Sequence, residues 1–408
     1  MSPPAGVRRP RGSLAIALVC PYSLGRPGGV QGQVVGLARA LAERGHAVTV
    51  LAPGEGTEEV TWVKGPATRA GGEMPEGAGG PSGEGWAKVE IVGRAVGVRA
   101  NGSVAPVALS PGVAVRVTRR ASEIGAGVVH LHEPLAPVAG YGVLVRHDRP
   151  VVATFHRAGE SVLYQVARPL TRWALGRIDV ACAVSEAARQ TAEGAGAGAL
   201  EVVFNGVDLE RFAPVGGRRA EEREPAILFL GRHEPRKGLE VLLEAVGRMD
   251  QVVPVWIAGQ GPQTEGLRRR YPPSARVTWL GRLSEAEVVS RLSGASVLCA
   301  PSRGGESFGM VLLEALAAGC SVVASDIPGY RDAAGAHALL VPPGDPGALA
   351  AALDRAVGET AAGRGLGSPE ARAAARRHCE RWSMARLAET YEAIYGRAQE
   401  VFGSRHRR

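Results

Sequence analysis

Short apolar runs that do not alternate with polar residues recur along the chain, and they restrict its fold more than any other feature. The first half holds Leu14–Cys20, Ala47–Ala52, Val128–His132, Val151–Phe155, Val180–Val184 and Val202–Phe204. The second half holds Ala226–Leu230, Val253–Ala258, Arg276–Leu280, Val297–Ala300, Ser321–Ser325 and Ala338–Val341. A strand with one face in water alternates, whereas a strand buried on both faces of a parallel sheet does not. Helical patterns lie between the runs, such as Leu239–Gly247 and Val34–Glu43, the latter stopped by Gly45. Strands alternating with helices give an α/β protein with doubly wound, Rossmann-like parallel sheets. At 408 residues the chain is too long for one ordinary core, so two such domains facing a central cleft are expected.

The boundary is expected in the polar stretch from Pro214 to Pro225, which mixes Arg and Glu with Gly216 and Gly217. This gives an N-terminal domain over 1–215 and a C-terminal domain over 224–380. Residues 381–408 would then form a last helix around Trp382–Gln399 and a basic tail, Ser404–Arg408. The segment from Gly54 to Gly85 is full of Gly, Pro and Glu and reads as a partly disordered surface loop.

Composition excludes several classes. No apolar run approaches the ~20 residues that span a bilayer. Arg8, Arg9 and Arg11 before Leu14–Cys20 imitate a secretory signal, but no small-residue cleavage site follows. A cytoplasmic protein is expected, peripheral at most on the inner face of the plasma membrane. The cysteines (Cys20, Cys182, Cys299, Cys320 and Cys379) are scattered without a CxxC pair, so neither a zinc site nor a disulfide framework is indicated. Neither a metal nor another cofactor is expected. The formal charge of +8 favours anionic partners. With only 5% aromatic residues and no stacking platform, nucleic acid is disfavoured among them.

The most informative segment is Pro301-Ser-Arg-Gly-Gly-Glu306-Ser307-Phe308-Gly309-Met310-Val311-Leu-Leu-Glu314. A strand runs into a glycine turn, and a helix is expected from about Phe308, its free N–H groups forming a ready anion site. Eight residues of helix span ~12 Å, the reach from a donor hexose at Glu306 to a ribose at Glu314. Carboxylates suit hydroxyl recognition because each accepts several hydrogen bonds. The plainer alternative is a capping Glu306 and an exposed helical Glu314; the Gly-Gly turn and the strand ahead of it favour the site. Leu230-Gly-Arg232-His-Glu-Pro-Arg-Lys237-Gly ends another strand. Its Arg232 and Lys237 are placed to stabilise the charge on a departing nucleoside diphosphate, although a loop this polar is often a solvated turn.

In the first half, Pro27-Gly28-Gly29-Val-Gln31 links the opening strand to a helix, so that backbone can approach a ligand. Its spacing is not the dinucleotide fingerprint. His130 and His132 share one face of a strand, and His156 ends the next strand. His156 is best placed to contact a sugar, and His132 reads as structural. Arg116, Arg119 and Arg120 share one helix face, and Arg168, Arg172 and Trp173 make a second basic patch; such stripes are usually solvated surface, and taken with the basic charge they favour contact with an anionic membrane or acceptor.

Taken together, these motifs resemble the retaining GT-B glycosyltransferases of family 4, and within it the bacterial phosphatidyl-myo-inositol mannosyltransferases. The resemblance runs through Val19-Cys-Pro-Tyr-Ser, Pro27-Gly-Gly-Val-Gln, Asn101-Gly-Ser-Val-Ala, His132-Glu-Pro, Thr154-Phe-His and Asn205-Gly-Val-Asp. It continues through Gly231-Arg, Pro235-Arg-Lys-Gly, Cys299-Ala-Pro, Gly304-Gly-Glu-Ser-Phe-Gly and Val323-Ala-Ser-Asp. It implies that Arg232 and Lys237 bind the donor diphosphate, Glu306 and His156 the transferred hexose, and Glu314 the ribose. Ser307, Phe308, Gly309, Met310 and Val311 would line the donor. Leu283, in a loop that partly matches the family's, would lie by its base. Gly29 would line the reaction centre, and Gly28, Gln31 and Asn101 would face the acceptor.

The implied reaction moves a hexose, mannose from GDP-mannose in preference to a UDP-sugar, to a lipid or polyol acceptor such as phosphatidylinositol. It retains configuration and uses no metal. Ala100 and Pro106 stand where the mannosyltransferases carry a Tyr and an Arg, and an Arg is the natural partner of an inositol phosphate. Two other classes share these features: a sugar-nucleotide epimerase or other enzyme of the same fold, and a non-catalytic sugar-nucleotide or lipid-binding protein.

Overall fold

The computed structural model describes residues 12–25, 28–55, 60–64, 85–100, 103–157, 168–213, 224–306 and 308–407. They form two compact units, Met1–Gly206 with Met384–Arg408, and Val207–Ser383.

The first unit contains β1 (Ala15–Val19), β2 (Ala47–Gly54), β3 (Val60–Lys64), β4 (Trp86–Arg94), β5 (Val96–Ala100) and β6 (Ser103–Val107). It continues with β7 (Val128–His132), β8 (Val151–Phe155), β9 (Val180–Ala183) and β10 (Glu201–Val202). One sheet runs β10-β9-β8-β7-β1-β2-β4-β3, and β5 and β6 make a separate hairpin. The large sheet is parallel except for β3, which runs antiparallel to β4. β1, β7 and β8 are buried along their whole length, which is why β1 reads as an unbroken apolar run; the polar members of β7 and β8, His130, His132 and Thr154, are buried as well.

Period-two geometry divides β1 between two cores. Ile16 and Leu18 pack with Leu37 and Leu41 of the helix Gly29–Glu43 and with Tyr391, Ile394 and Tyr395 of the C-terminal helix Met384–Arg405. Ala17 and Val19 pack with Val113, Val117 and Leu144 on the opposite face. The C-terminal helix is also held by a buried polar network. His130 Nδ1 lies 3.0 Å from the Tyr395 hydroxyl, His130 Nε2 2.7 Å from Thr154 Oγ1, and that oxygen 2.7 Å from the Tyr391 hydroxyl. Burial pushes the His130 imidazole down to about 3, so the ring is neutral at neutral pH.

The second unit contains β11 (Glu224–Leu230), β12 (Val255–Ala258), β13 (Val277–Gly281), β14 (Ala295–Ala300), β15 (Ser321–Ser325) and β16 (Leu339–Val341). These form an all-parallel sheet in the order β13-β12-β11-β14-β15-β16. Ile227, Val255, Ile257 and Val297 pack with Leu242 and Leu353 of the covering helices. The chain leaves β11 toward β12 on one side, while β14 lies on the other. The carboxyl ends of β11 and β14 therefore flank a topological switch point, where open α/β sheets bind ligands.

Two expectations are corrected. Part of the 54–85 stretch is a strand, β3; the rest of that stretch, apart from its ends, lies outside the described residues. The second unit begins at Val207, which donates its N–H to the Trp382 carbonyl at 2.6 Å and bridges to Ser383, the last residue of that unit; most of 214–225 lies outside the described residues. The last helix starts at Met384 and extends to Arg405, so Trp382 belongs with the second unit.

Candidate active site

In the second unit, the loop after β11 carries a single 3₁₀ turn, Pro235–Lys237, ending at Gly238 with φ +67°. A Cβ on Gly238 would lie 1.9 Å from the Pro301 carbonyl oxygen, just past β14. Only glycine lets the two loops close this far. They are also stitched by the Arg303 N–H, which donates to the Arg236 carbonyl at 2.7 Å.

This closure brings Lys237 and Glu306 together, with Nζ 2.8 Å from Oε1 and 2.9 Å from Oε2. Arg236 Nη1 reaches Oε1 at 2.9 Å, and Ser302 Oγ donates to it at 3.2 Å. Glu234 links the remaining cations, pairing with Arg232 Nη2 at 2.8 Å and Arg236 Nε at 3.0 Å. Three cations thus share two carboxylates, which leaves a local surplus of positive charge. The arginine side chains are 44% exposed while Glu306 is 11% exposed, so the cations meet solvent and the carboxylate is recessed. Such an arrangement can hold a diphosphate outside and a hydroxyl-rich group inside.

The helix after Glu306 begins at Met310, later than Phe308, because Gly309 stands at φ +112°. No side chain among the described residues caps its N-terminus. A Cβ on Gly309 would lie 2.7 Å from the Tyr330 ring. Phe308 is buried edge-on against Trp382 with centroids 5.0 Å apart, so its side chain is part of the core. Met310, Val311 and Glu314 are half-buried. Burial raises the Glu314 carboxyl above the usual range, opposed by Arg211. Leu283 is half-buried just before the helix Glu285–Gly294, whose start is closed by a Ser284–Glu287 capping box. Ser307 lies outside the described residues.

Sequence reasoning missed Arg236, Glu234, Ser302 and Tyr330. Arg236 sits beside Lys237 in the same motif and was within reach. Tyr330 has no sequence signal, because 28 residues separate it from its partner Ser302.

In the first unit, the helix Gly29–Glu43 follows Gly28, whose backbone is extended. The Gln31 amide donates to the Ser23 carbonyl at 3.3 Å, and the Ser23 N–H donates to the Pro106 carbonyl at 2.9 Å. The β5–β6 hairpin is thereby attached to the glycine loop. A Cβ on Gly29 would meet nothing within 4 Å, so the space before it is open. Asn101 lies outside the described residues.

His156 follows β8, and its Nε2 is 3.0 Å from His132 Nδ1. Its N–H donates to Glu133 Oε2 at 3.0 Å. Glu133 itself is held at φ +50°, a strained conformation for a non-glycine residue. Burial lowers both imidazoles, His156 to about 4 and His132 well below its usual range. His132 was expected to be structural only; it is in contact with the ring expected to meet sugar.

The arginine stripe is largely tied down. Arg116 Nε donates to the Val92 carbonyl at 2.7 Å. Arg120 grips Glu90 through Nε at 2.6 Å and Nη2 at 2.7 Å and also pairs with Glu123. Arg119 pairs with Glu123 at 2.7 Å and is the one of the three that stands exposed. Arg116 and Arg120 are thus tied to β4, through the Val92 carbonyl and through Glu90, which also pairs with Lys88 at 2.6 Å.

Solved structures share this architecture over nearly its whole length. A complex of Anabaena Alr3699/HepE with UDP and glucose superposes with a TM-score of 0.64 at 17% identity, covering 94% of this chain and 99% of that one. A sucrose-phosphate synthase from Thermosynechococcus elongatus gives 0.68 at 22% identity, covering 96% and 100%. The fold is that of the GT-B glycosyltransferases. Residues 27–211 match the model described as Glycosyltransferase Family 4, and residues 224–359 that described as Glycosyl transferases group 1. The phosphatidyl-myo-inositol mannosyltransferase of Mycolicibacterium smegmatis is 36% identical over 403 residues, 95% of this chain and 96% of that one. That of Mycobacterium leprae is 37% identical over 353 residues, 83% and 86%. The chain belongs to glycosyltransferase family 4.

Proposed function

We propose that the protein transfers mannose from GDP-mannose, with retention and without a metal, to a lipid or polyol acceptor of the phosphatidylinositol type. The observation that carries this reading is the Glu306 carboxylate held between Lys237 and Arg236 at the switch point of the second unit. In the reaction the glycosidic bond to the diphosphate breaks, and negative charge gathers on the departing phosphate oxygens. Arg232, Arg236 and Lys237 neutralise that charge, which is the work a divalent cation does elsewhere. Glu306 accepts hydrogen bonds from the hexose hydroxyls, and Glu314 from the ribose. Neutral His156 offers a ring nitrogen to the hexose. Retention requires the acceptor oxygen to enter on the face the diphosphate leaves, assisted by the departing phosphate as base. The choice of mannose and of an inositol lipid is supported by the names of the mannosyltransferase relatives.

Calorimetric titration against a panel of GDP- and UDP-sugars, followed by a nucleotide-release assay with and without phosphatidylinositol, tests this. Binding of GDP-mannose and phosphatidylinositol-dependent release of GDP are expected; a panel with no binder sinks the reading.

The proposed reaction includes contact with a membrane surface. No helix among the described residues is long and apolar enough to cross a bilayer. The helices Pro111–Glu123, Tyr141–Arg146 and Arg168–Leu175 pack in succession, and they expose Val115, Val145 and Trp173. Apolar side chains on a chain of net charge +8 suit shallow insertion into an anionic leaflet. Flotation with vesicles containing phosphatidylinositol is expected to carry the protein, and Val115→Asp with Trp173→Asp to release it. Equal flotation with neutral vesicles would remove the electrostatic part of this proposal.

A further inference from the structure

We propose that Ser302 and Tyr330 are positioning residues that fix Glu306 for the donor hexose, a role that rests on the donor-site reading above. Both are 1% exposed. Ser302 Oγ lies 3.2 Å from Glu306 Oε1 and 2.8 Å from the Tyr330 hydroxyl.

The protons in this chain run one way. A carboxylate only accepts, so the single hydroxyl proton of Ser302 must be given to Glu306. The Ser302 oxygen is then left as an acceptor, and the Tyr330 hydroxyl must donate to it. Burial, with Glu306 nearby, holds the Tyr330 phenol above its ordinary range, so Tyr330 remains a donor. The order is Tyr330 to Ser302 to Glu306.

The ring has no freedom to leave. Gly309 lies so close to it that a Cβ would fall 2.7 Å from Cδ1, and a Cβ on Gly329 would fall 2.7 Å from the Glu306 carbonyl oxygen. The turn that carries Tyr330 is therefore seated directly on the backbone of Glu306.

The relay matters because the other partners of Glu306 have a second task. Lys237 and Arg236 are on the solvent side and are drawn to the diphosphate once a donor is bound. Ser302, backed by Tyr330, stays behind and keeps Oε1 in place, which leaves Oε2 for a hexose hydroxyl. This predicts a division of labour: the relay contributes to recognition of the sugar and not of the nucleotide.

The test is calorimetry on the full chain with GDP-mannose against GDP and UDP-glucose against UDP, for wild type, Tyr330→Phe, Ser302→Ala, Glu306→Gln and Glu306→Gln with Tyr330→Phe. For Tyr330→Phe and Ser302→Ala, affinity for the nucleoside diphosphate should stay within about twofold. Affinity for the sugar nucleotide should fall about tenfold, near the upper weight of a neutral hydrogen bond. In the Glu306→Gln background, Tyr330→Phe should add nothing, because the group it positions is already changed. The relay is overturned if nucleotide and sugar-nucleotide affinities fall in parallel, if neither changes, or if the two losses multiply. A wild-type protein that binds the diphosphates but gains nothing from the sugar overturns the donor reading, and the relay with it.

Discussion

Replacing Lys237 with alanine is expected to lower kcat/KM for sugar transfer about 10²- to 10³-fold, the range for removing one fixed electrostatic donor from a transition state. Lys237 is the cation with contacts to both oxygens of Glu306. It sits on the turn closed by Gly238 against Pro301, so its backbone is fixed before any ligand arrives and only the side chain has to swing from Glu306 to the diphosphate. Arg236 bonds only one of the two oxygens, and Arg232 reaches the cluster through Glu234. Neither can take the place of Lys237. The side chain is 21% exposed and outside the core, so the thermal midpoint should move by no more than a few degrees. Lys237→Arg should recover little, because a planar fork does not fit a point-charge position between two carboxylate oxygens. Initial rates of nucleotide release decide the matter. A loss under about threefold would show that the diphosphate is stabilised elsewhere.

The parallel core was legible in the sequence because burial on both faces leaves an unbroken apolar record. β7, β8 and β15 coincide with their apolar runs for that reason. β4 escaped because it lies near the sheet edge, where residues such as Lys88 interrupt the apolar record. β3 is short and at the very edge, within a glycine-rich stretch whose composition argues for a loop. The Asn205-Gly206 motif was readable only as a likeness. Its physical role is visible in the structure, where the Gln33 amide exchanges two hydrogen bonds of 2.8 Å with the Gly206 backbone.

Glu306 and Lys237 were legible as types, since carboxylates after a glycine turn and cations at a strand end have definite uses. Their pairing was not, because it depends on Gly238 meeting Pro301 across 63 positions of chain. The arginine stripe was legible as helical spacing, but its partners were not: Glu90 on β4 pairs with Arg120 and Lys88, and Glu123 on the same helix with Arg119 and Arg120.

Deleting residues 384–408 is expected to unfold the first unit while the second keeps its own cooperative transition. The C-terminal helix buries Leu387, Tyr391, Ile394 and Tyr395 among its core residues, each worth ~1.5–3 kcal/mol on burial. Its loss also removes the Tyr395 and Tyr391 hydroxyls from His130 and Thr154, which keep only their bond to each other, at ~0.5–1.5 kcal/mol for each hydrogen bond lost. Together these are of the same order as the ~5–15 kcal/mol by which a domain is stable. Scanning calorimetry should show two transitions in the full chain and one in the truncated protein; two in both would refute it. Tyr395→Phe and Tyr391→Phe give a milder form of the same test, each lowering the midpoint of the first unit alone. The network carries a pH signature as well. His130 is lowered from 6.5 to about 3 in the folded state, so below pH 6.5 the unfolded chain binds a proton that the folded chain refuses. Stability of the first unit therefore declines as pH falls from about 6.5 toward 3. His156, lowered to about 4, adds to the same slope, and His130→Asn should flatten it without touching the second unit.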